Sequence, residues 1–240
     1  MGRVAVVGGH GILGTDFAAE ATRVDVETIY GPAALLDAGS YVVIQRHGLD
    51  EFVSAPFINH LAHVRALADV GCDRILGVAS VGSLRRDLPV GTFVAPDDFI
   101  ALQLGISFSE GDEGHQSPGF DSTWRRTVVD RWAAHTDVRL HDGGVYWQAI
   151  GPRFETRAEI RLIAGHADLV GMTIASECIL AGELGLAYAG ICVVDNLANG
   201  VGDAPLTVEE FRAGAAANRA RLVGALDAVL PAFTQEAGSS

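Results

Sequence analysis

The first stretch able to do chemistry is Gly8-Gly9-His10-Gly11, which closes a short β run, Arg3-Val4-Ala5-Val6-Val7. Gly9-x-Gly11-x-x-Gly14 matches the dinucleotide-binding spacing, but that fingerprint also wants an acid at the end of a second strand about 20 residues later. Glu27 and Asp37 are roughly placed, and neither clearly ends a buried strand. The same glycines could simply relieve strain in a tight strand-to-helix turn. They could also form a cradle of backbone N–H groups for a small anion, completed by one arginine.

Charge and composition narrow the chemistry. All 17 basic residues are arginine, and the net charge is −13. With no lysine, Schiff-base chemistry, a pyridoxal phosphate anchor and a Walker A lysine are excluded. The acidic balance argues against nucleic acid as a partner. Cys72, Cys178 and Cys192 are isolated and show no CxxC spacing, so they read as buried thiols rather than disulfides or zinc ligands. No metal and no cofactor is expected. No apolar run is long enough to span a bilayer, and the N-terminus lacks a secretory pattern, so a cytoplasmic protein without membrane contact is expected.

Strand-like and helical segments alternate along the chain. Strands are expected at 3–7, 41–45, 74–78, 92–95, 99–102, 145–150, 169–173 and 187–194. Helices are expected at about 59–70, 124–134, 157–164, 175–184 and 207–230, the last with Thr207 as N-cap. Residues 105–121, with four Gly, one Pro and four acids, read as an exposed loop. No linker or repeat divides the chain. The expectation is one α/β domain over 1–240, with a flexible tail from about 232.

Five segments carry a more specific signal. They are Gly8-Gly9-His10-Gly11, Arg46-His47-Gly48 with Asn59, Ala79-Ser80-Val81-Gly82-Ser83-Leu84-Arg85, Gly151-Pro152-Arg153-Phe154-Glu155-Thr156-Arg157-Ala158-Glu159, and Gly171-Met172-Thr173 with Glu177. In this order the chain resembles the trimeric purine nucleoside phosphorylases and methylthioadenosine phosphorylases. The resemblance implies a mixed, twisted, partly barrel-like sheet flanked by helices, and phosphate attack at C1′ of a purine nucleoside with phosphate as co-substrate. It implies a homotrimer in which a neighbour's loop closes each pocket, and residues 105–120, with Phe108, His115 and Phe120, are the candidate loop.

The residue types suit that chemistry. Glycosidic cleavage builds oxocarbenium character on the sugar and negative charge on the purine, and preorganised donors at such a charge contribute ~3–4 kcal/mol each. A carboxylate can accept from N1–H of a 6-oxopurine, and an amide can serve N7 and O6. The resemblance gives these catalytic roles to Glu155 and Asn196, where the adenine-specific branch carries Ser and Asp. It gives phosphate to Gly9, His10, Arg46, His47, Ser80 and Thr173. The base falls to Val81, Gly82, Phe154, Glu155, Val170 and Asn196, and the ribose with its 5′ group to His60, Met172 and Val208. Taken singly, Glu155 could be a helix-start carboxylate and Asn196 a turn former.

The phosphate end departs from the family pattern. His10 stands where Ser or Thr is usual, Glu51 where His is expected, and His60 where Tyr contacts the ribose. A carboxylate beside a phosphate dianion would cost several kcal/mol unless protonated or turned away, whereas a protonated His10 could restore an anion contact. Phosphorolysis ranks first. A hydrolase with water activated by Glu51 or a histidine ranks second, followed by a purine-binding protein with a degenerate phosphate site. Val208, in place of a histidine that would bind a 5′-hydroxyl, suits a 5′-methylthio or 5′-deoxy group.

Overall fold

The apolar run Val4–Val7 is buried at every position, as a parallel strand covered on both faces requires. Val4 and Val6 face one core cluster, and Ala5 and Val7 face another. The computed structural model describes residues 2–203 and 205–234. The strands among them are β1 (Arg3–Gly8), β2 (Thr22–Thr28), β3 (Gly31–Asp37), β4 (Tyr41–Gln45), β5 (Cys72–Ser83), β6 (Phe93–Ala95), β7 (Asp98–Ile100), β8 (Leu140–Asp142), β9 (Val145–Gln148), β10 (Leu169–Gly171) and β11 (Ala187–Leu197). The helices are α1 (His60–Asp69), α2 (Ser122–His135), α3 (Arg157–Ile163), α4 (Ile174–Glu183) and α5 (Val208–Thr234).

All eleven strands join one mixed sheet, with the path β2-β3-β4-β1-β5-β10-β9-β7 and a branch through β11 to β6 and β8. Helices α1 and α4 contribute to the core on one face, while α2 and α5 cover the other. The fold class therefore agrees with expectation: a mixed α/β single domain. The long strand β5 organises it. Its first part pairs in parallel with β1 up to Val78, and its end pairs antiparallel with β10 at Gly82 and Ser83. Between these partners the sheet opens, as at the strand-parting positions where open α/β sheets bind ligands.

Several expectations need correction. The segment after the glycine turn forms turns rather than a helix, and residues 22–37 form an antiparallel hairpin. Glu27 and Asp37 therefore belong to hairpin strands, and the dinucleotide reading fails. Strand β5 is longer than expected, and β8 was not foreseen. Helix α5 continues through the expected start of the tail: Ala232 and Phe233 are buried, with Phe233 edge-on against Trp124 at 4.9 Å. Residues 235–240 of the expected tail lie outside the described residues. The N-caps Asn59 and Thr207 each bond the amide three residues on, at 3.0 and 3.1 Å.

In the 105–121 segment, Phe120 is buried in the chain's own core and Phe108 packs on Tyr30 at 5.0 Å. Glu183 holds this loop through the Ser107 hydroxyl and the Phe108 amide, at 2.7 and 2.6 Å. Of the three residues suggested for closing a neighbour's pocket, only His115 extends outward.

Candidate active site

A cavity of about 350 Å³ opens where β5 changes partner. It is lined by all the expected phosphate and base residues, and by Met172 and Val208. Its walls come from the first glycine turn, the ends of β4, β5, β10 and β11, the 152–155 loop, and the start of α5.

A bulge shapes one end. The pairing of β11 with β5 shifts between Val194 and Asn196, leaving Asp195 unpaired and setting Asn196 opposite Gly82. Such a bulge turns the next side chain out of register. A Cβ at Gly82 would lie 3.0 Å from Asn196 Nδ2 and 3.2 Å from Val170 Cγ1, so any larger residue would push these two side chains by a few tenths of an ångström. Asn196 spends one amide N–H on the Leu197 carbonyl at 3.0 Å and keeps its oxygen free of other partners. Glu155 lines the same cavity and its carboxylate has no ion-pair partner among the described residues, while its carbonyl accepts from Asn199 at 3.0 Å. Burial raises the Glu155 carboxyl above the usual range.

The other end is built differently. The glycine turn closes through the Ile12 and Leu13 amides to the Gly9 carbonyl, both at 3.1 Å, leaving the His10 and Gly11 amides without an acceptor among the described residues. A Cβ at Gly9 would stand 2.9 Å from an Arg46 terminal nitrogen, so glycine permits the guanidinium to reach the turn. Arg46 itself is buried and almost saturated. It makes a bidentate pair with Glu177, at 2.5 and 2.8 Å, and donates to the Val78 and Val7 carbonyls at 2.7 and 3.1 Å. Burial alone would lower the Arg46 pKa, but the Glu177 carboxylate holds it above its usual range. Tyr188 also donates to Glu177, at 2.6 Å. Of five guanidinium N–H groups, one is left near Gly9, and the positive charge is already compensated.

Two histidines complete this end. His10 and His47 have ring centroids 4.4 Å apart, with Phe52 and Phe211 against His10 at 5.5 and 5.1 Å. His47 Nδ1 lies 2.8 Å from the Val53 carbonyl, which can only accept, so Nδ1 carries the proton. Burial lowers the His47 pKa to about 4. Burial, then the charges of Arg46, Arg212 and Arg219, lower that of His10. Both shifts favour the neutral rings before ligand binding, so the anion contact that a protonated His10 could restore is not offered by the free protein.

Thr173 precedes α4 without capping it. The first amides of α4 are already used: those of Ala175 and Ser176 donate to Gln148 Oε1, at 2.7 and 3.2 Å, and that of Thr173 donates to Tyr146 at 3.0 Å. What Thr173 offers the cavity is its hydroxyl. Ser80 also lines the cavity; its hydroxyl is directed at Asp195 but completes no well-formed hydrogen bond.

Two expected neighbours are not in the cavity lining. Glu51 is exposed, in a loop closed by Val53 N–H to the His47 carbonyl at 2.7 Å. Gly48, at φ +91°, makes this turn possible, since any Cβ there would meet the Glu51 carbonyl at 2.3 Å. The carboxylate feared beside the phosphate is turned away. His60 instead lines a separate cavity of about 260 Å³ behind Ala55 and Met172, with its Nδ1 3.7 Å from Glu177 and no hydrogen bond. Burial lowers its pKa to about 3. The sequence reading missed Phe52, Phe211 and Arg212 as lining residues. The helical spacing 208, 212, 215, 219 from Val208 would have exposed the last two, since that stripe and its edge turn one face of α5 inward.

The phosphorylase superfamily profile matches residues 3–231. The chain belongs to this superfamily. It is 35% identical over 212 residues to a probable 6-oxopurine nucleoside phosphorylase of Archaeoglobus fulgidus, covering 87% of each protein. To a probable S-methyl-5′-thioinosine phosphorylase of Methanocaldococcus jannaschii it is 34% identical, covering 86% of this chain and 83% of the relative. A methylthioadenosine phosphorylase structure from an antarctic soil metagenomic library superposes with TM-score 0.83 at 24% identity, over 99% of this chain and 88% of that one, and supports the fold. The protein is thus a nucleoside phosphorylase, a pentosyltransferase. Among the described residues, no helix is long and apolar enough to cross a membrane.

Proposed function

We propose that the protein cleaves 6-oxopurine nucleosides of the inosine, guanosine or 5′-methylthioinosine type with phosphate, releasing free base and a ribose 1-phosphate. The observation that carries this reading is the presence of Glu155 and Asn196 in one cavity with the glycine turn. In this assignment Glu155 accepts from purine N1–H, and Asn196 stabilises the charge that grows on N7 and O6 as the bond breaks. Phe154 packs near the base, and Val81, Gly82 and Val170 line its slot. Hydrogen phosphate sits against the open His10 and Gly11 amides, the last Arg46 N–H, Ser80 and the Thr173 hydroxyl. His47 Nε2, a lone-pair acceptor in the neutral ring, suits the one O–H of that anion.

Leu206, Val208 and Phe211 make the 5′ side of the cavity apolar, which favours a 5′-methylthio over a 5′-hydroxyl group. Phosphorolysis is preferred to hydrolysis because Glu51, the carboxylate that could have activated water, is outside the lining. The assembly proposed is a homotrimer. Exposed Phe57, Leu102 and Ile150 form apolar surface around the smaller cavity, suited to burial against a second copy. Initial rates with methylthioinosine, inosine, guanosine and adenosine test the substrate assignment. A clear preference for the 6-oxopurines is expected, and equal rates with adenosine would overturn the roles of Glu155 and Asn196.

A further inference from the structure

Phosphate brings two negative charges into a site whose most obvious cation is already paired. Three arginines line the cavity: Arg46, Arg153 and Arg212. Arg46 is bound to Glu177, and Arg153 forms a bidentate pair with Glu159 at 2.7 and 2.8 Å. Arg212 has no ion-pair or hydrogen-bond partner among the described residues. It stands on α5 one turn after Val208, and its charge reaches the His10 ring.

Further along the same stripe, Arg219 donates to the His10 carbonyl at 3.4 Å, and Leu222 occupies the space beside Gly11. Helix α5 therefore runs from the apolar 5′ side to the back of the glycine turn and carries Arg212 between them. We propose that Arg212 is the phosphate-binding cation of this enzyme, supplied by α5 to offset the dianion that the Arg46–Glu177 pair leaves uncompensated. This rests on the phosphorolytic reading above.

The geometry separates two tasks. Arg46 holds the turn and offers one N–H, whereas Arg212, long and exposed at the cavity mouth, is free to close over the bound anion. An anionic 5′ substituent on the nucleoside would meet the same guanidinium, so phosphate and nucleoside must be varied independently.

The test is steady-state kinetics of the full chain with methylthioinosine or inosine, on the unmodified enzyme and on Arg212→Ala, Arg212→Lys and a control outside the cavity, Arg126→Ala. Arg212→Ala is expected to raise the phosphate KM roughly 10–100-fold, the scale of a lost charge-assisted hydrogen bond, with nucleoside KM changed less than threefold. Arg212→Lys should recover part of that loss, and Arg126→Ala should leave the phosphate KM unchanged. An unchanged phosphate KM in Arg212→Ala, or a rise in nucleoside KM alone, overturns the assignment. If the unmodified enzyme releases base without phosphate, the phosphorolytic reading fails first, and that result is read before any variant is made.

Discussion

The two ends of the cavity solve opposite problems. At the proposed purine end, Glu155 and Asn196 retain hydrogen-bonding capacity that the described residues do not consume. At the proposed phosphate end, the chain has already used most of what is there: Arg46 keeps a single N–H, the α4 amides are capped by Gln148 and Tyr146, and burial favours the neutral form of both histidines. A residue's type leaves its charge and free hydrogen bonds legible where it stands alone, and hides them where distant partners decide both.

The largest effect that would expose this difference is on stability. Removing Glu177 leaves the Arg46 charge buried and unpaired, a loss of about 3–5 kcal/mol. For a chain of this size that lowers Tm by about 6–20 °C. Thermal unfolding of Glu177→Ala checks this, and a shift below about 2 °C would show that the pair does not hold the turn. Arg46→Ala is expected to fall in the same class. Its effect on phosphate KM has therefore to be read in a variant first shown to be folded.

Glu155→Ala should do the reverse. No intramolecular ion pair is lost, so Tm should stay within a few degrees, while kcat/KM for inosine falls roughly 10–100-fold through loss of a charged acceptor for N1–H. A large Tm loss with little kinetic change would place Glu155 on the structural side of the comparison.

The fold class was legible because its causes are local, and most of the lining because five segments together resemble a known family. Val4–Val7 is continuously apolar, Asn59 and Thr207 cap helices, and Gly82 and Asn196 stand in short, distinctive segments. The β2–β3 hairpin escaped notice although β2 alternates through Val24 and Val26, because no residue of β2 is fully buried and the run carries no strong apolar signal. The phosphate end stayed open for a different reason. Glu177 is 131 residues from Arg46, and Glu51 is turned away by the conformation at Gly48. Composition and spacing cannot reveal either. His60 was drawn toward the ribose by its position after Asn59, yet it starts a helix whose packing leaves it behind Met172 and outside the main cavity.

Acidity offers a finer probe of the same contrast. Glu155 must be ionised to accept from N1–H, and burial raises its pKa. Activity on inosine is therefore expected to fall as pH drops through a value above the ordinary carboxylate range, and Glu155→Gln should remove that limb. His10 and His47 titrate below their ordinary range in the free enzyme, so phosphate KM, expressed as the dianion alone, should show no imidazole step near pH 6.5. Such a step would place a charged histidine in the free site. The smallest expected effect is at the 5′ side. Val208→His should shift preference from methylthioinosine toward inosine by a few-fold, the scale of one changed contact in a pocket.

The central claim is that phosphate, not water, is the nucleophile in a site whose anion contacts survive despite His10 and Glu51. Base release from methylthioinosine, inosine and guanosine, measured with and without phosphate, tests it most directly. The account predicts turnover that depends on phosphate and yields one sugar 1-phosphate per base released. Equal release of base and free sugar in the absence of phosphate would contradict it.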